Sequence, residues 1–451
     1  MCDWHKLNRI GVIGLGRTGC SVISYWVAQN KHVVAFEEDA ASPSIERVSN
    51  CFPQVEIKVG ALADWDWSAL ELTLDLLVVS PGVDLRHPVL VNWRSKDKPL
   101  CGDIELFCQR TSSSIIAVTG SNGKTTVATM VAEALALSGK TVELAGNIGR
   151  PVLELLDGSE SEYTVLELSS FQLETVSSLQ QHVAVVTNYS PDHLDRYGDY
   201  SEYVNMKNRV YRRAKIAVVN VDQSECINDI NAANVLSFSL QGEADLMLRH
   251  QGARQVFMHG EKVLCGAEEL LLKGGHYFQN ALILFSIMVA LRLPVKGAIE
   301  LLRRFSGLSH RCQYVLTRHH VRWYNDSKAT NEGATIAAIR TIKASCAGQL
   351  ILIAGGDAKG GDFVSLKEVV AHEVSHVIVF GKDKGKLRDV FSSITQLTVV
   401  NDLDEAVSVA NELSIPGDAV LLSPACSSLD MFDNYEHRGQ VFCGCVEGLA
   451  E

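Results

Sequence analysis

Short apolar runs rich in valine, isoleucine and leucine alternate along this chain with longer stretches of helical spacing. Most of the short runs end in a polar or glycine-containing turn. This is the signature of parallel strands buried on both faces and covered by helices. The pattern predicts strands over 9–13, 32–36 and 74–79, with a helix over 20–28. A second set has strands over 115–118, 141–144, 163–166 and 183–187, helices over 127–137 and 199–215, and short strands with polar turns over 215–273. The apolar run 281–291 predicts a buried helix, far short of the roughly 20 residues a membrane span needs. Strands over 321–324, 350–353, 376–380 and 419–422 form a third set. Three α/β domains are therefore expected over 1–103, 104–308 and 309–451, their strand-end loops facing one cleft.

The turns carry the chemistry. Strand 115–118 runs into Thr119-Gly120-Ser121-Asn122-Gly123-Lys124-Thr125-Thr126 and then a helix. Glycines at 120 and 123 let successive N–H groups at a helix N-terminus point at one anion, Lys124 adds a point charge, and the Thr125 hydroxyl is placed for Mg²⁺. Val118 stands where a full Walker motif has its first glycine, so the loop is a compressed form; the bland alternative is a turn that only caps a helix. The central domain is thus expected to be of P-loop type with a mainly parallel sheet, between Rossmann-like domains. The first domain holds Gly14-Leu15-Gly16-Arg17-Thr18-Gly19 after a strand, and Glu37-Glu38-Asp39 after the next strand, close to the spacing of a dinucleotide fold. The acid cluster is triple and no hydride-transfer constellation is visible, which leaves binding of a diphosphate or nucleotide at this turn. Ser80-Pro81-Gly82 ends a neighbouring strand. Glu167 and His193 follow strands beside the 120–126 loop and are expected to converge with Thr125 around triphosphate. Lys207, Arg209, Arg212, Arg213 and Lys215 read by pattern as a solvated basic face.

Bulk composition narrows the classes. A formal charge of -12 argues against a sequence-independent nucleic-acid binder. The twelve cysteines include no CxxC pair, so neither zinc nor disulfides are expected, and free thiols in a reducing cytoplasm are.

Several runs together carry a resemblance: Gly-Asp-Ile-Glu-Leu-Phe at 102–107, the loop 120–126, Leu-Glu-Leu-Ser-Ser-Phe-Gln-Leu-Glu at 166–174, and Asp192-His193-Leu194-Asp195. His310-Arg311, the polar loop 325–331, and 421–439 with its Ser-Pro-Ala-Cys-Ser-Ser-Leu-Asp run complete it. Over nearly its whole length the chain resembles the Mur ligase family. The last two runs resemble its D-glutamate-adding branch, and the Asp-Asn-Pro-Arg motif of the diamino-acid-adding branch is absent.

The resemblance implies a cytoplasmic, monomeric, ATP-dependent amide ligase of peptidoglycan precursor synthesis that adds D-glutamate to UDP-N-acetylmuramoyl-L-alanine through an acyl phosphate. It implies small-molecule substrates, no membrane insertion, and UDP-sugar, ATP and amino acid bound by the three domains in order. Gly120, Ser121, Asn122, Gly123, Lys124, Thr125 and Thr126, with Asn280, Arg311 and Asp326, would hold ATP. Two Mg²⁺ ions would be held by Thr125, Glu167, His193 and Lys207, the lysine as a carbamate derived from carbon dioxide, which replaces the solvated-face interpretation at that position. Gly14, Gly16, Arg17, Thr18, Glu37, Ser80, Asn147, Ser169, Gln172 and His193 would surround the UDP-sugar, and Thr330, Lys359, Ser428 and Tyr435 the D-glutamate. Lys124, Glu167, His193, Lys207 and Lys328 would serve the chemical step. Two positions depart from the family's pattern: Tyr277 replaces an asparagine, and Glu37-Glu38-Asp39 replaces an Asp-x-Arg element, with Arg17 as a substitute cation. Two other classes compete with a ligase, an NAD-dependent oxidoreductase resting on the first glycine turn and a non-catalytic ATP-gated switch.

Overall fold

The computed structural model describes residues 6–189, 196–223, 230, 232–252, 254–358 and 361–449; His193 and Lys359 lie outside the described residues. Contacts divide the chain into two units, Met1–Ala267 with Gln279–Leu301, and Glu268–Phe278 with Leu302–Glu451.

The first unit holds two sheets. In the first, β1 (Arg9–Ile13), β2 (His32–Glu37), β3 (Glu56–Val59), β4 (Leu76–Val79) and β5 (Leu100–Cys101) run parallel in the order β3-β2-β1-β4-β5. The chain builds outward from β1 to β3, then crosses to the other side of β1. This reversal opens a crevice at the carboxyl ends of β1 and β4, where the Gly14 and Ser80 turns lie.

The second sheet is built from β6 (Ser114–Thr119), β7 (Val142–Gly146), β8 (Tyr163–Glu167), β9 (Val183–Val186), β10 (Ala214–Asn220) and β11 (Ala232–Ser239). It continues through β12 (Leu246–Gln251), β13 (Arg254–His259) and β14 (Lys262–Gly266). Its order is β14-β13-β12-β11-β10-β9-β6-β8-β7, parallel except for the β12-β13-β14 hairpins. β6 sits between β8 and β9, so the Gly120 loop also emerges at a switch point. A continuous buried cluster including Val12, Val22 and Trp26 from the first sheet's side and Val152, Leu153 and Leu166 from the second's packs the two together.

The second unit has β15 (Gln313–Arg318), β16 (Val321–Asn325), β17 (Leu350–Gly355), β18 (His376–Phe380), β19 (Gln396–Val399) and β20 (Ala419–Leu422), in the order β15-β16-β20-β17-β18-β19. Only β15 is antiparallel to its neighbour. Because β20 inserts between β16 and β17, the loops that follow all three lie side by side.

Most predicted strands fall within a few residues of those observed. The helix expected over 199–215 does not. It ends at Asn208, a short 3₁₀ turn covers Arg209–Tyr211, Arg213 takes a left-handed φ of 62°, and β10 begins at Ala214. Five basic residues at helix-compatible spacing hide the cause, which is the buried pair Val210 and Tyr211. The Tyr211 hydroxyl accepts the Val186 N–H at 3.0 Å and donates to the Val218 carbonyl at 3.1 Å, locking the turn between β9 and β10. β3, β15 and β19 were not predicted. All three are edge strands with mixed polar composition. All of the run 281–291 except Leu291 lies in the helix Gly275–Ala290, and no helix among the described residues is long and apolar enough to cross a membrane. Every described cysteine is a free thiol.

Candidate active site

The loop after β6 is shaped by sterics. Gly120 has φ +143°, and a Cβ there would stand 1.9 Å from the Thr187 hydroxyl oxygen; Gly123 is left-handed at φ +76° and caps the helix Lys124–Leu137 without a side-chain bond. The helix therefore presents its first N–H groups to the turn. Thr187 and Asn188, at the end of β9, lace the loop in place. The Thr187 hydroxyl and Asn188 Nδ2 donate to the Asn122 carbonyl at 2.6 and 3.0 Å, and the Asn188 Oδ1 and carbonyl accept the N–H groups of Asn122 and Ser121, each at 2.9 Å. Neither residue was singled out from sequence, although both lie in a polar turn at a strand end. Asn280 is buried beside this loop: a Cβ on Gly123 would lie 3.3 Å from its Oδ1. Thr125 and Thr126 are half-buried in the first helical turn.

Two lysines meet at one carbonyl. Lys124 Nζ donates to the Gly120 and Ser121 carbonyls, both at 2.8 Å, and Lys207 Nζ donates to the Gly120 carbonyl at 2.8 Å. Lys207 is only 1% exposed, in the last turn of the helix Tyr200–Asn208, with its ammonium 4.5 Å from the Tyr203 ring centre. The solvated-face interpretation is therefore overturned at this position. It holds for Arg212, Arg213 and Lys215, which are exposed. The Tyr203 hydroxyl lies 3.0 Å from the Ser121 hydroxyl.

Glu167 ends β8, paired in register with Val118 of β6, and is buried. Its Oε1 accepts Asn147 Nδ2 at 2.8 Å, while its Oε2 is buried with no hydrogen-bond partner among the described residues. A buried carboxylate oxygen without a donor is costly unless a cation compensates it.

Asn147 also lines a cavity of about 460 Å³ between the two sheets of the first unit. Gly14, Gly16, Arg17, Thr18, Glu37 and Ser80 line one side, and Asn147, Gly149 and Gln172 the other. The glycine turn here is tight: Gly14 has φ +84°, and a Cβ on Gly19 would meet the Gly14 carbonyl oxygen at 1.9 Å. The Ser80 hydroxyl donates to that carbonyl at 2.8 Å. Glu37 Oε2 accepts the Leu15 N–H at 3.0 Å and its Oε1 the Asp39 N–H at 3.3 Å, while Glu38 accepts from Leu62 N–H. Both oxygens of the acid that a dinucleotide fold would place on a ribose thus carry backbone bonds, and the nicotinamide alternative loses its support. Arg17 Nη2 reaches across to the Gly149 carbonyl at 2.9 Å. Ser169 is not on the cavity wall; it and Gln172 form a capping box at the start of the helix Ser170–Glu174.

In the second unit, Asp326 follows β16 and is buried, accepting the Cys312 N–H at 3.0 Å and the Ser423 hydroxyl at 2.7 Å. Burial outweighs these bonds and pushes its carboxyl up to about 7. Arg311 lies between His310 and Cys312, both at positive φ (62° and 43°). Lys328 is half-buried with its ammonium 5.0 Å from the Tyr435 ring centre; Ser428 is buried and Thr330 exposed. Arg438 was not anticipated. It is fully buried, and its guanidinium donates to the Ser327 hydroxyl (2.9 Å), the Ser327 carbonyl (2.8 Å), the Cys426 carbonyl (3.2 Å) and the Gly355 carbonyl (3.4 Å). It ties together the loops after β16, β17 and β20, and burial lowers its pKa to about 10. Nothing in the spacing of its helix distinguishes it from a surface arginine.

Among the described residues no group of three or more His, Cys, Asp or Glu side chains could hold a metal ion.

Comparisons with known proteins agree along the whole chain. Models of the Mur ligase MurD-like N-terminal domain, the Mur ligase middle domain and the Mur ligase glutamate ligase domain match residues 8–102, 118–288 and 310–426. The UDP-N-acetylmuramoylalanine--D-glutamate ligase of Coxiella burnetii is 41% identical over 440 residues, 97% of this chain and 98% of that protein. The enzyme of the same name from Pseudomonas aeruginosa is 41% identical over 446 residues, with the same coverage. In fold the chain is similar to the MurF ligase of Thermotoga maritima solved with ADP, at a TM-score of 0.60 and 16% identity with both chains fully covered. The UDP-N-acetylmuramate-alanine ligase MurC of Thermotoga maritima gives 0.57 at 18% identity, over 98% of this chain and 100% of that one. With two glycine turns at switch points, one of them lysine-bearing, and nearly full-length relatives at this identity, the chain belongs to the Mur ligase family.

Proposed function

We propose that this protein joins the amino group of D-glutamate to the alanyl carboxylate of UDP-N-acetylmuramoyl-L-alanine, driven by ATP, in cytoplasmic peptidoglycan precursor synthesis. One observation carries the active-site reading. Glu167 reaches Asn147 on the cavity wall with one oxygen and leaves the other buried and unpartnered, on the strand paired with the one that feeds the phosphate loop. The carboxylate thus stands between a cavity-wall residue and the strand that feeds the loop, which supports placing the nucleotide sugar and the triphosphate at one site.

The alanyl carboxylate attacks the γ-phosphorus of ATP, the bond to the β-phosphate oxygen breaks, and ADP leaves. The D-glutamate amine then attacks the acyl carbon, loses a proton, and inorganic phosphate departs. The first step turns a poor leaving group into a good one; what remains is alignment and charge stabilisation. Lys124 exchanges its bonds to the Gly120 and Ser121 carbonyls for phosphate oxygens, and the amides of Gly120 to Thr126 cradle them. Asn280, Arg311 and Asp326 contact the nucleotide, and Lys328 faces the transferred phosphate. Gly14, Gly16, Arg17, Thr18, Glu37, Ser80, Asn147 and Gln172 serve the UDP-sugar, with His193, and Ser169 acts through its capping bond to the helix that carries Gln172. Thr330, Lys359, Ser428 and Tyr435 receive D-glutamate.

The unpartnered Glu167 oxygen and the Thr125 hydroxyl are hard donors that would hold Mg²⁺, which would supply neutralisation of the phosphate charge. His193 and Lys207 complete the proposed ligand set for two ions. A buried lysine is a poor neighbour for a cation, and carbamylation would make Lys207 a carboxylate-like ligand. The protein is proposed to act as a monomer, on small molecules alone.

The test is phosphate release from ATP with Mg²⁺ and UDP-N-acetylmuramoyl-L-alanine, comparing D-glutamate, L-glutamate and no amino acid. Release that needs both the nucleotide sugar and D-glutamate is expected. Release indifferent to either overturns the ligase reading.

A further inference from the structure

The cavity assigned above to the nucleotide sugar has two walls from two sheets, and one ion pair outside the proposed ligand set grips both. Arg196 Nη2 donates to Glu174 Oε2 at 2.9 Å and to the Val83 carbonyl at 2.9 Å, while Nη1 reaches the Pro81 carbonyl at 3.5 Å. Val83 and Pro81 flank Gly82 in the loop after β4, and all three line the cavity. A Cβ on Gly82 would meet nothing within 4 Å, so this residue faces open space. Glu174 closes the short helix Ser170–Glu174, which presents Gln172 on the opposite wall.

The pair is built to stay put. Arg196 and Glu174 side chains are 10% and 11% exposed, the guanidinium carbon lies 4.3 Å from the Phe171 ring centre, and the Tyr197 hydroxyl donates to Glu174 Oε1 at 2.8 Å. Phe171 and Tyr197 stack with centroids 6.2 Å apart. The carboxylate and the guanidinium thus have partners on several sides, the condition under which a buried ion pair is not a liability. A planar guanidinium can satisfy two carbonyls and a carboxylate at once, whereas an ammonium cannot hold that fork.

We propose that Arg196 is a positioning residue for nucleotide-sugar binding: by holding the carbonyls on either side of Gly82 against Glu174, it fixes the spacing of the two cavity walls. This rests on assigning the cavity to the UDP-sugar. Arg196 touches no reacting atom in this account, so its loss acts on affinity for one substrate and leaves the chemical step.

The test is Arg196→Lys in the full-length protein, which keeps the charge beside Glu174 and loses the fork. Thermal unfolding reports whether the variant folds. The KM for UDP-N-acetylmuramoyl-L-alanine is expected to rise about tenfold or more, with kcat and the KM values for ATP and D-glutamate changed by no more than roughly threefold. Calorimetric titration with UDP alone, without ATP, should show the same loss of affinity. Unchanged UDP affinity and KM in the folded variant, or an equal rise in all three KM values, would overturn the positioning role. Failure of the wild-type protein to bind UDP would instead overturn the assignment of the cavity, and this inference with it. Should Arg196→Lys fail to fold, Tyr197→Phe, which removes only the hydroxyl bond to Glu174, is expected to raise the same single KM by a smaller factor, and a KM at the wild-type value would overturn the role.

Discussion

Two glycine turns in this chain are alike in every respect but their neighbours. Each follows a strand with parallel neighbours on both sides at a switch point, each opens a helix, and each has a glycine at which a Cβ would stand 1.9 Å from an oxygen. At the first, an acid meets the turn: Glu37 accepts the Leu15 N–H, and the Ser80 hydroxyl donates to the Gly14 carbonyl. At the second, cations meet it: Lys124 and Lys207 both donate to the Gly120 carbonyl. Backbone geometry makes a turn able to approach a ligand closely. The charge delivered beside it decides which ligand. An acid-braced turn suits a weakly charged or hydrogen-bonding part of a nucleotide, and a turn that carries the Lys124 ammonium suits a triphosphate.

Several experiments can break this contrast. Lys124→Ala should lower phosphate release by about 10³-fold or more while leaving UDP affinity within roughly twofold, measured by a coupled phosphate assay and calorimetry. Chelating Mg²⁺ should divide the two turns in the same way, stopping phosphate release and sparing UDP binding. Gly120→Ala and Gly19→Ala should each destabilise the fold by about 3 kcal/mol in denaturant unfolding, because the first combines a positive φ with a clash and the second drives a Cβ into a carbonyl oxygen. Equal costs with unequal effects on substrates would sharpen the contrast; a neutral result at either would remove the steric half of it. Glu37→Gln should weaken UDP binding by about 1 kcal/mol, the difference between a charge-assisted and a neutral hydrogen bond, with the KM for ATP unchanged.

The smallest effect lies outside both turns and serves as a control. Asp326 is raised from 3.8 to about 7 by burial, so the folded state holds its proton more tightly than the unfolded state does. Its contribution to stability is full below pH 3.8 and is lost as pH rises through about 7. Asp326→Asn, which mimics the protonated form, should flatten the decline in thermal stability between pH 5 and pH 8 without altering UDP affinity.

Much of this was legible in the sequence because it rests on local pattern. The strands β1, β18 and β20 fall where their apolar runs place them, and the Gly120–Lys124 turn follows from residue order alone. What escaped has one physical character. Thr187, Asn188 and Arg438 act mainly through backbone carbonyls and amides distant in the chain, and a side chain bonded to backbone leaves no complementary residue to notice. The overextended helix after Asp199 failed for a related reason, since Tyr211 ends it by bonding to β9 and β10. Glu37 shows the converse: its spacing singles it out in the sequence, but the partner seen here is the turn's own N–H.

The most direct measurement of the division between the two turns is calorimetric titration of the wild-type protein and Lys124→Ala with UDP-N-acetylmuramoyl-L-alanine and, separately, a non-hydrolysable ATP analogue with Mg²⁺. The account predicts one site for each ligand in the wild type, no competition between them, and loss of only the ATP analogue in the variant. Competition for a single site, or loss of nucleotide-sugar binding on removing Lys124, would contradict it.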